Sequence, residues 1–196
     1  ARRGPLRSEG VDLHAIIGEV EQLLARGEEV VAFSRDPDRA RERLPEGVEP
    51  ARWTPDDQGS LEESLAGTDA VVNLVGEPVL GKRWNAEVKE EIRASRVEGT
   101  RSLVTAFASL AEPPGVFVSA SAVGYYGPRP EPRIDEDEPP GDDFLARVCV
   151  DWEAEAKKAE VRGTRVVLPR IGVVLAREGG ALKKMLSPFK WFVGGK

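Results

Sequence analysis

Three observations predict an α/β domain with three layers (αβα) and a mostly parallel sheet. Strand-like apolar runs alternate with helix-like segments along the chain, and that alternation builds right-handed βαβ units. The run Ala70 to Val75 (AVVNLV) is almost continuously apolar, as in a parallel strand covered on both faces. At 196 residues, with 40% hydrophobic and 32% charged residues, the chain has room for one domain around one core. No linker, internal repeat or low-complexity tract divides it.

The elements follow in order. Arg3 to Glu9 is a poor central strand, with charges, a single large apolar residue and a proline that cannot donate to a ladder, so residues 1–10 are expected to be irregular, or at best a short, poorly packed strand. Asp12 to Arg26 carries Leu13, Ile16, Ile17, Val20, Leu23 and Leu24 at helical spacing. Asp12 suits its N-cap, and Gly27 suits the left-handed residue that closes it. Glu29 to Phe33 reads as a strand, and Pro37 to Leu44 as a helix with proline in its first turn. Val48 to Trp53 reads as a weak strand interrupted by Pro50. Ser60 to Ala66 reads as a short helix, with Ser60 and Glu63 spaced as a capping box and Gly67 ending it.

After Ala70 to Val75 come a loop over 76–85 and a long charged helix from Ala86 to Leu110. A strand follows at Val116 to Ser119, then a loop rich in glycine, proline and acid from Gly124 to Gly141. Asp142 to Arg162 reads as a helix with Phe144, Leu145, Val148 and Trp152 near one face. Thr164 to Leu168 reads as a strand, Ile171 to Leu175 is apolar, and Gly180 to Phe189 starts a last helix.

Composition narrows the function. A single cysteine excludes an internal disulfide framework and a CxxC site; it points to a reducing, cytoplasm-like compartment. A single histidine excludes a His-rich metal cage and argues against a Ser-His-Asp triad, so no metal site is expected. The net charge of -6 argues against a nucleic-acid partner. No apolar run reaches the ~20 residues that cross a bilayer. The acidic run Asp135 to Glu138 reads as a solvated loop, and Cys149 as a small buried hydrophobe. The four tryptophans read as packing anchors.

Ligands of open α/β sheets sit beyond the carboxyl ends of strands, and three strand ends here carry suitable residues. Ser34 and Arg35 follow the Glu29–Phe33 run, and a guanidinium there suits the 2'-phosphate of NADP. Asp36, the acid that an NAD reading would use, lies one step further on. Asn73-Leu74-Val75-Gly76 ends the next apolar strand, and its glycine admits close backbone approach. Ser119-Ala120-Ser121 leads into Tyr125-Tyr126-Gly127, a set of hydroxyls able to orient a substrate oxygen and move a proton. Each also has a plain reading as a polar turn, a glycine turn and a small-residue turn.

The strings NLVGEP, GKRWN, EIRASRVEGT, VSASAVGYYG, DEDEPPGDDF, VCVDWE and LPRIGVVLAREGGALKKMLSPFK, in this order, resemble the nucleoside-diphosphate-sugar epimerase-like family of atypical extended short-chain dehydrogenases/reductases. The likeness runs from about residue 20 to the end. It implies a Rossmann core, an NADP-type cofactor in preference to NAD, and a small-molecule substrate, with nucleotide sugars as the model. Carried over by position, Ser34 and Arg35 resemble adenosine-phosphate contacts, and Asn73, Leu74, Val75 and Gly76 the loop under the cofactor. Ser119 and Ser121 resemble the active-site hydroxyl strand, Tyr125 falls in the YYG element, and Arg170 and Ile171 resemble the segment near the nicotinamide end.

The chain departs from the pattern in three places. The three fingerprint glycines fall on Gly10, Leu13 and Ile16, so only Gly10 remains to serve the phosphate turn. In the YxxxK region, Phe144 and Leu145 stand for the tyrosine, and Val148 and Cys149 for the lysine. A phenol ionises near pH ~10, so a tyrosine base without that lysine needs another cation, and Arg170 is the candidate. Family members continue past the position of Lys196, so a truncated chain lacking the substrate-binding C-terminal region is expected. The resulting reading is an NADP-dependent oxidoreductase or epimerase. Its rival is a non-catalytic remnant of that family with weak or no cofactor binding, and a plain nucleotide-binding regulator ranks below both. Oligomeric state is not legible.

Overall fold

The computed structural model describes residues 3–7 (as backbone), 20–54, 57–79, 83–130 and 133–173. Its strands are β1 Arg3–Arg7, β2 Glu29–Ser34, β3 Val48–Arg52, β4 Ala70–Asn73, β5 Val116–Ser119, β6 Ser121–Ala122, β7 Arg165–Val167 and β8 Arg170–Ile171. Six of them form one sheet in the order β3-β2-β1-β4-β5-β7. Every pairing in this sheet is parallel. A small second sheet pairs β6 with β8.

The helices are α1 (20–25), α2 Pro37–Arg41, α3 Gln58–Leu65, α4 Ala86–Ser109 and α5 Phe144–Lys157. Short 3-10 turns lie at Val123–Tyr126 and Lys158–Arg162. Strand residues alternate between the two faces of the sheet, and β2 shows it. Val31 and Phe33 join Leu61 and Leu65 of α3 and Leu103, Ala106 and Phe107 of α4 in the main core. Val30 and Ala32 join Val20, Leu23 and Leu24 of the α1 side. Helices on both faces make the three layers. Among the described residues no helix is long and apolar enough to cross a membrane.

At the start of the chain the irregular reading is corrected to a short strand. Composition predicts irregular structure over residues 1–10, but Arg3–Arg7 forms a strand between β2 and β4. It pairs with β2 along its length, from Arg3↔Glu29 to Arg7↔Phe33, and with β4 at Leu6↔Val72. Partners on both sides outweigh local composition, which is the usual way tertiary context overrides β-propensity. Pro5, opposite Val31, has no N–H to give the ladder.

The other elements keep close to their expected places. Gly27 and Gly67 end their helices in the left-handed region, at φ 81° and 75°, and Pro37 opens α2. The capping of α3 is a correction. The helix starts at Gln58, and Asp57 is its N-cap, accepting the Ser60 N–H at 3.3 Å. Ser60 stands inside the first turn, with a buried hydroxyl that has no partner among the described residues. With Asp57 as the cap the helix begins one turn earlier, and the helix dipole favours a formally charged cap at its N-terminus. Helix α5 is shorter than expected and gives way to a 3-10 turn at Lys158. Residues 8–19, with Gly10, Asp12 and His14, lie outside the described residues, as does the expected helix from Gly180.

Candidate functional site

The sheet order reverses direction at β1: β2 and β3 lie on one side of it and β4, β5 and β7 on the other. Such a switch point opens a crevice at the carboxyl ends of the strands, where Ser34, Asn73 and Ser119 end β2, β4 and β5. Ser34 ends β2, and its Oγ closes a turn by accepting the Asp36 N–H and donating to the Asp36 carbonyl, both at 3.1 Å. Asp36 is then used as the N-cap of α2, its Oδ1 accepting the Arg39 N–H at 3.1 Å. That turn presents Arg35, whose side chain is 58% exposed and stands 3.7 Å from the Glu77 carboxylate.

Asn73 ends β4 and is fully buried at 0% exposure. Its Nδ2 donates to Thr100 Oγ1 of α4 at 2.8 Å and to Ser119 Oγ of β5 at 3.1 Å, and its Oδ1 accepts the Val75 N–H at 3.2 Å. Thr100 Oγ1 also accepts from Trp152 Nε1 of α5 at 2.8 Å. One amide thus ties two strand ends to two helices. Leu74 and Val75 are buried as well.

Gly76 is needed for a reason besides the expected one. A Cβ there would lie 2.7 Å from Arg96 Cζ and 2.8 Å from Arg96 Nη2. The glycine lets the Arg96 guanidinium lie against the main chain. Arg96 Nη1 donates to the Glu77 carbonyl at 3.1 Å and to the Ile92 carbonyl at 3.0 Å. Burial pushes this guanidinium below its usual basicity, against the pull of nearby Cys149 and Glu77.

Beyond β5 the chain turns through β6 into the tyrosines. Ser119 is fully buried at the Asn73 amide. Ser121 is 3% exposed, and its hydroxyl donates to Glu153 Oε1 of α5 at 2.6 Å. Arg170 of β8 grips the same carboxylate with two bonds, Nε to Oε1 at 2.9 Å and Nη2 to Oε2 at 3.0 Å. Arg170 Nη1 donates to Tyr126 Oη at 2.7 Å and to the Glu136 carbonyl at 2.9 Å. Its Cζ lies 3.5 Å from the Tyr125 ring centroid. The contact with Glu153, foremost, raises the basicity of Arg170 further.

Arg170 therefore meets Tyr125 at its ring face, whereas the phenol it bonds belongs to Tyr126. The cation stacks on the half-buried ring of Tyr125 and bonds the hydroxyl of the buried Tyr126. Ile171 is exposed beside it. The acidic run is exposed over Asp135 to Asp137, and Arg129 holds it to the tyrosine turn by bonds to the Tyr126 carbonyl at 3.0 Å, to Glu138 at 3.1 Å and to the Pro139 carbonyl. Cys149 is buried, its thiol pushed up chiefly by that burial.

A model of the NAD dependent epimerase/dehydratase family matches residues 19–188. The chain belongs to that family. The human epimerase family protein SDR39U1 is 40% identical over 178 residues, covering 89% of this chain and 56% of that protein. The chloroplastic SDR39U1 homologue of Arabidopsis thaliana is 40% identical over 182 residues, covering 90% of this chain and 50% of that one. A crystal structure of the human protein (isoform 2), solved with NADPH, superposes with a TM-score of 0.75 at 35% identity, over 98% of this chain and 61% of that one. This epimerase-family chain thus spans about half the length of the relatives it matches.

Glu153, Thr100 and Arg96 were not singled out from the sequence, and Tyr126 and Glu77 stood only as members of the candidate runs. Glu153 carried a signal. It lies four residues after Cys149, next to Trp152 on the core-facing side of α5, and a carboxylate on a buried helical face needs a cation. Arg96 sits in the same way four residues after the buried Ile92.

Proposed function

We propose that this chain is the single dinucleotide-binding domain of an NADP-dependent oxidoreductase or epimerase that acts on a small, nucleotide-sugar-like substrate in a reducing, cytoplasm-like compartment. The observation that carries the reading is Arg35, exposed at the carboxyl end of β2 beside the switch point. Its guanidinium suits a 2'-phosphate, whereas the carboxylate that would suit an unphosphorylated ribose, Asp36, is committed to capping α2. When bound, the nicotinamide supplies hydride transfer.

The chain's own residues do the rest. Arg35, on its turn closed by Ser34, holds the phosphate. The backbone from Asn73 to Gly76 forms the floor under the cofactor, stiffened by Arg96. Gly10 serves the phosphate turn. Tyr125 orients the reacting oxygen, with Arg170 stacked on its ring and Ile171 beside the nicotinamide end. Ser119 and Ser121 fix the strand end from which that oxygen is approached.

One observation favours the rival reading, a binding module without chemistry. Both serine hydroxyls are buried and bonded to protein groups, which leaves Tyr125 to carry the proton. A titration of NADPH with the chain, followed by nicotinamide fluorescence, tests the shared first step, and micromolar binding is expected. Losing a charge-assisted contact costs about 1.5–3 kcal/mol, so Arg35→Ala is expected to weaken NADPH by roughly tenfold or more and leave NADH unchanged. An unaltered NADPH-to-NADH ratio in that variant overturns the assignment.

A further inference from the structure

Glu77 is a carboxylate at the edge of the crevice where an anion is expected, and its backbone is clamped. Its N–H donates to Ser95 Oγ at 3.0 Å, and its carbonyl accepts from Arg96 Nη1 at 3.1 Å. The preceding Gly76 leaves no room between main chain and Arg96. The β4 loop is thus fixed to α4 on both sides of the Glu77 Cα. A side chain on so rigid a base cannot leave by backbone movement. Its carboxylate stands 3.7 Å from Arg35 Nη2 with 29% of the side chain exposed.

Arg35 follows β2 and Glu77 follows β4, and β1 runs between those strands. The pair therefore reaches across the end of β1, over the switch point.

We infer that Glu77 sets the cofactor preference of this site: its carboxylate competes with the 2'-phosphate for the Arg35 guanidinium and so tempers the advantage of NADP over NAD. This rests on the reading of Arg35 as the phosphate ligand. Binding NADP exchanges one anionic partner of Arg35 for another and leaves the displaced carboxylate near a doubly charged phosphate. Binding NAD asks for no such exchange. The half-exposed setting screens the pair, so Glu77 reduces the preference without abolishing it.

Glu77→Gln is nearly isosteric and keeps both backbone contacts, since these use the N–H and the carbonyl. NADPH and NADH affinities are to be measured by nicotinamide fluorescence for wild type, Glu77→Gln, Arg35→Ala and the double variant. Glu77→Gln is expected to tighten NADPH about three- to fivefold with NADH little changed. The gain should shrink in the Arg35→Ala background, because it comes from releasing the guanidinium. An equal gain without Arg35 overturns competition for the guanidinium as the route. Unchanged or weaker NADPH binding in Glu77→Gln, with Arg35→Ala still damaging, overturns the inference about Glu77 and leaves the phosphate role of Arg35 standing. A chain that binds neither dinucleotide, in any of the four forms, overturns both.

Discussion

Glu153→Ala is expected to destabilise the domain by about 3 kcal/mol in urea unfolding. The carboxylate is 4% exposed and bonds three donors: the Ser121 hydroxyl and two N–H groups of Arg170. Its removal strands a partly buried guanidinium, and breaking one side of a buried pair typically costs about 3–5 kcal/mol. The low end applies because Arg170 keeps Tyr126 Oη and the Glu136 carbonyl. Taking away both charges should cost much less. Glu153→Met combined with Arg170→Met is expected to be more stable than the sum of the two single changes predicts. Simple additivity would show that the carboxylate and guanidinium do not depend on each other.

The pH dependence has a definite sign. Burial pushes the Glu153 carboxyl up, but the hydrogen bonds from Arg170 and Ser121, with the Arg170 charge, outweigh it and the net direction is down. A carboxyl held below its unfolded-state value contributes its full stability above the ordinary glutamate range, near ~4.3, and loses it as pH falls through the lower folded value. The stability gap between wild type and Glu153→Ala should therefore be constant from neutrality to mildly acidic pH and narrow in stronger acid. A gap that widened on acidification would contradict this arrangement.

Much of this architecture is legible in the sequence because it rests on periodicity and punctuation. AVVNLV is apolar but for Asn73 because β4 is covered by β1 and β5 at its edges and by helices on its faces. Gly27, Pro37 and Gly67 mark helix ends because few other residues suit those positions. What was not legible depends on contacts distant in sequence. Arg3–Arg7 is polar, yet parallel partners on both sides make it a strand. Helix α3 starts at an Asp57 cap, one turn ahead of the Ser60 box. The site divides in the same way. Strand-end positions locate Arg35, Asn73, Ser119 and Arg170, but only folding reveals which hydroxyls are spent inside. Ser119 meets an amide 46 residues earlier in the chain, and Ser121 meets a carboxylate 32 residues later. The motif strings mark the place, and the partner that occupies each side chain decides what it is free to do there.

Asn73→Leu should cost about 3 kcal/mol, although the substituted side chain is close in size and fully buried. The amide is a junction. It satisfies the Val75 N–H and meets the hydroxyls of Thr100 and Ser119 at 2.8 to 3.2 Å. Leucine can make none of these bonds, and each buried polar group left unpaired costs about 1–3 kcal/mol. Thr100 suffers least, since its Oγ1 still accepts from Trp152 Nε1. The Val75 N–H suffers most, because it lies in a buried turn where solvent cannot replace the lost acceptor. The loss should overlap with that of Thr100→Val, so the double variant is expected to lie above the additive value by about 1 kcal/mol. Urea unfolding of the four proteins measures it. An Asn73→Leu variant within about 0.5 kcal/mol of wild type would mean that the strand ends find other partners and that the Asn73 amide does not hold β4, β5 and α4 in register. The same junction supports the crevice floor, because the Asn73 carbonyl accepts the Ala120 N–H at 2.9 Å while the side chain fixes Val75. Loosening it should disturb the path from β4 to Gly76 before it disturbs Arg35 across the switch point, so NADPH binding in Asn73→Leu should weaken without losing its preference over NADH.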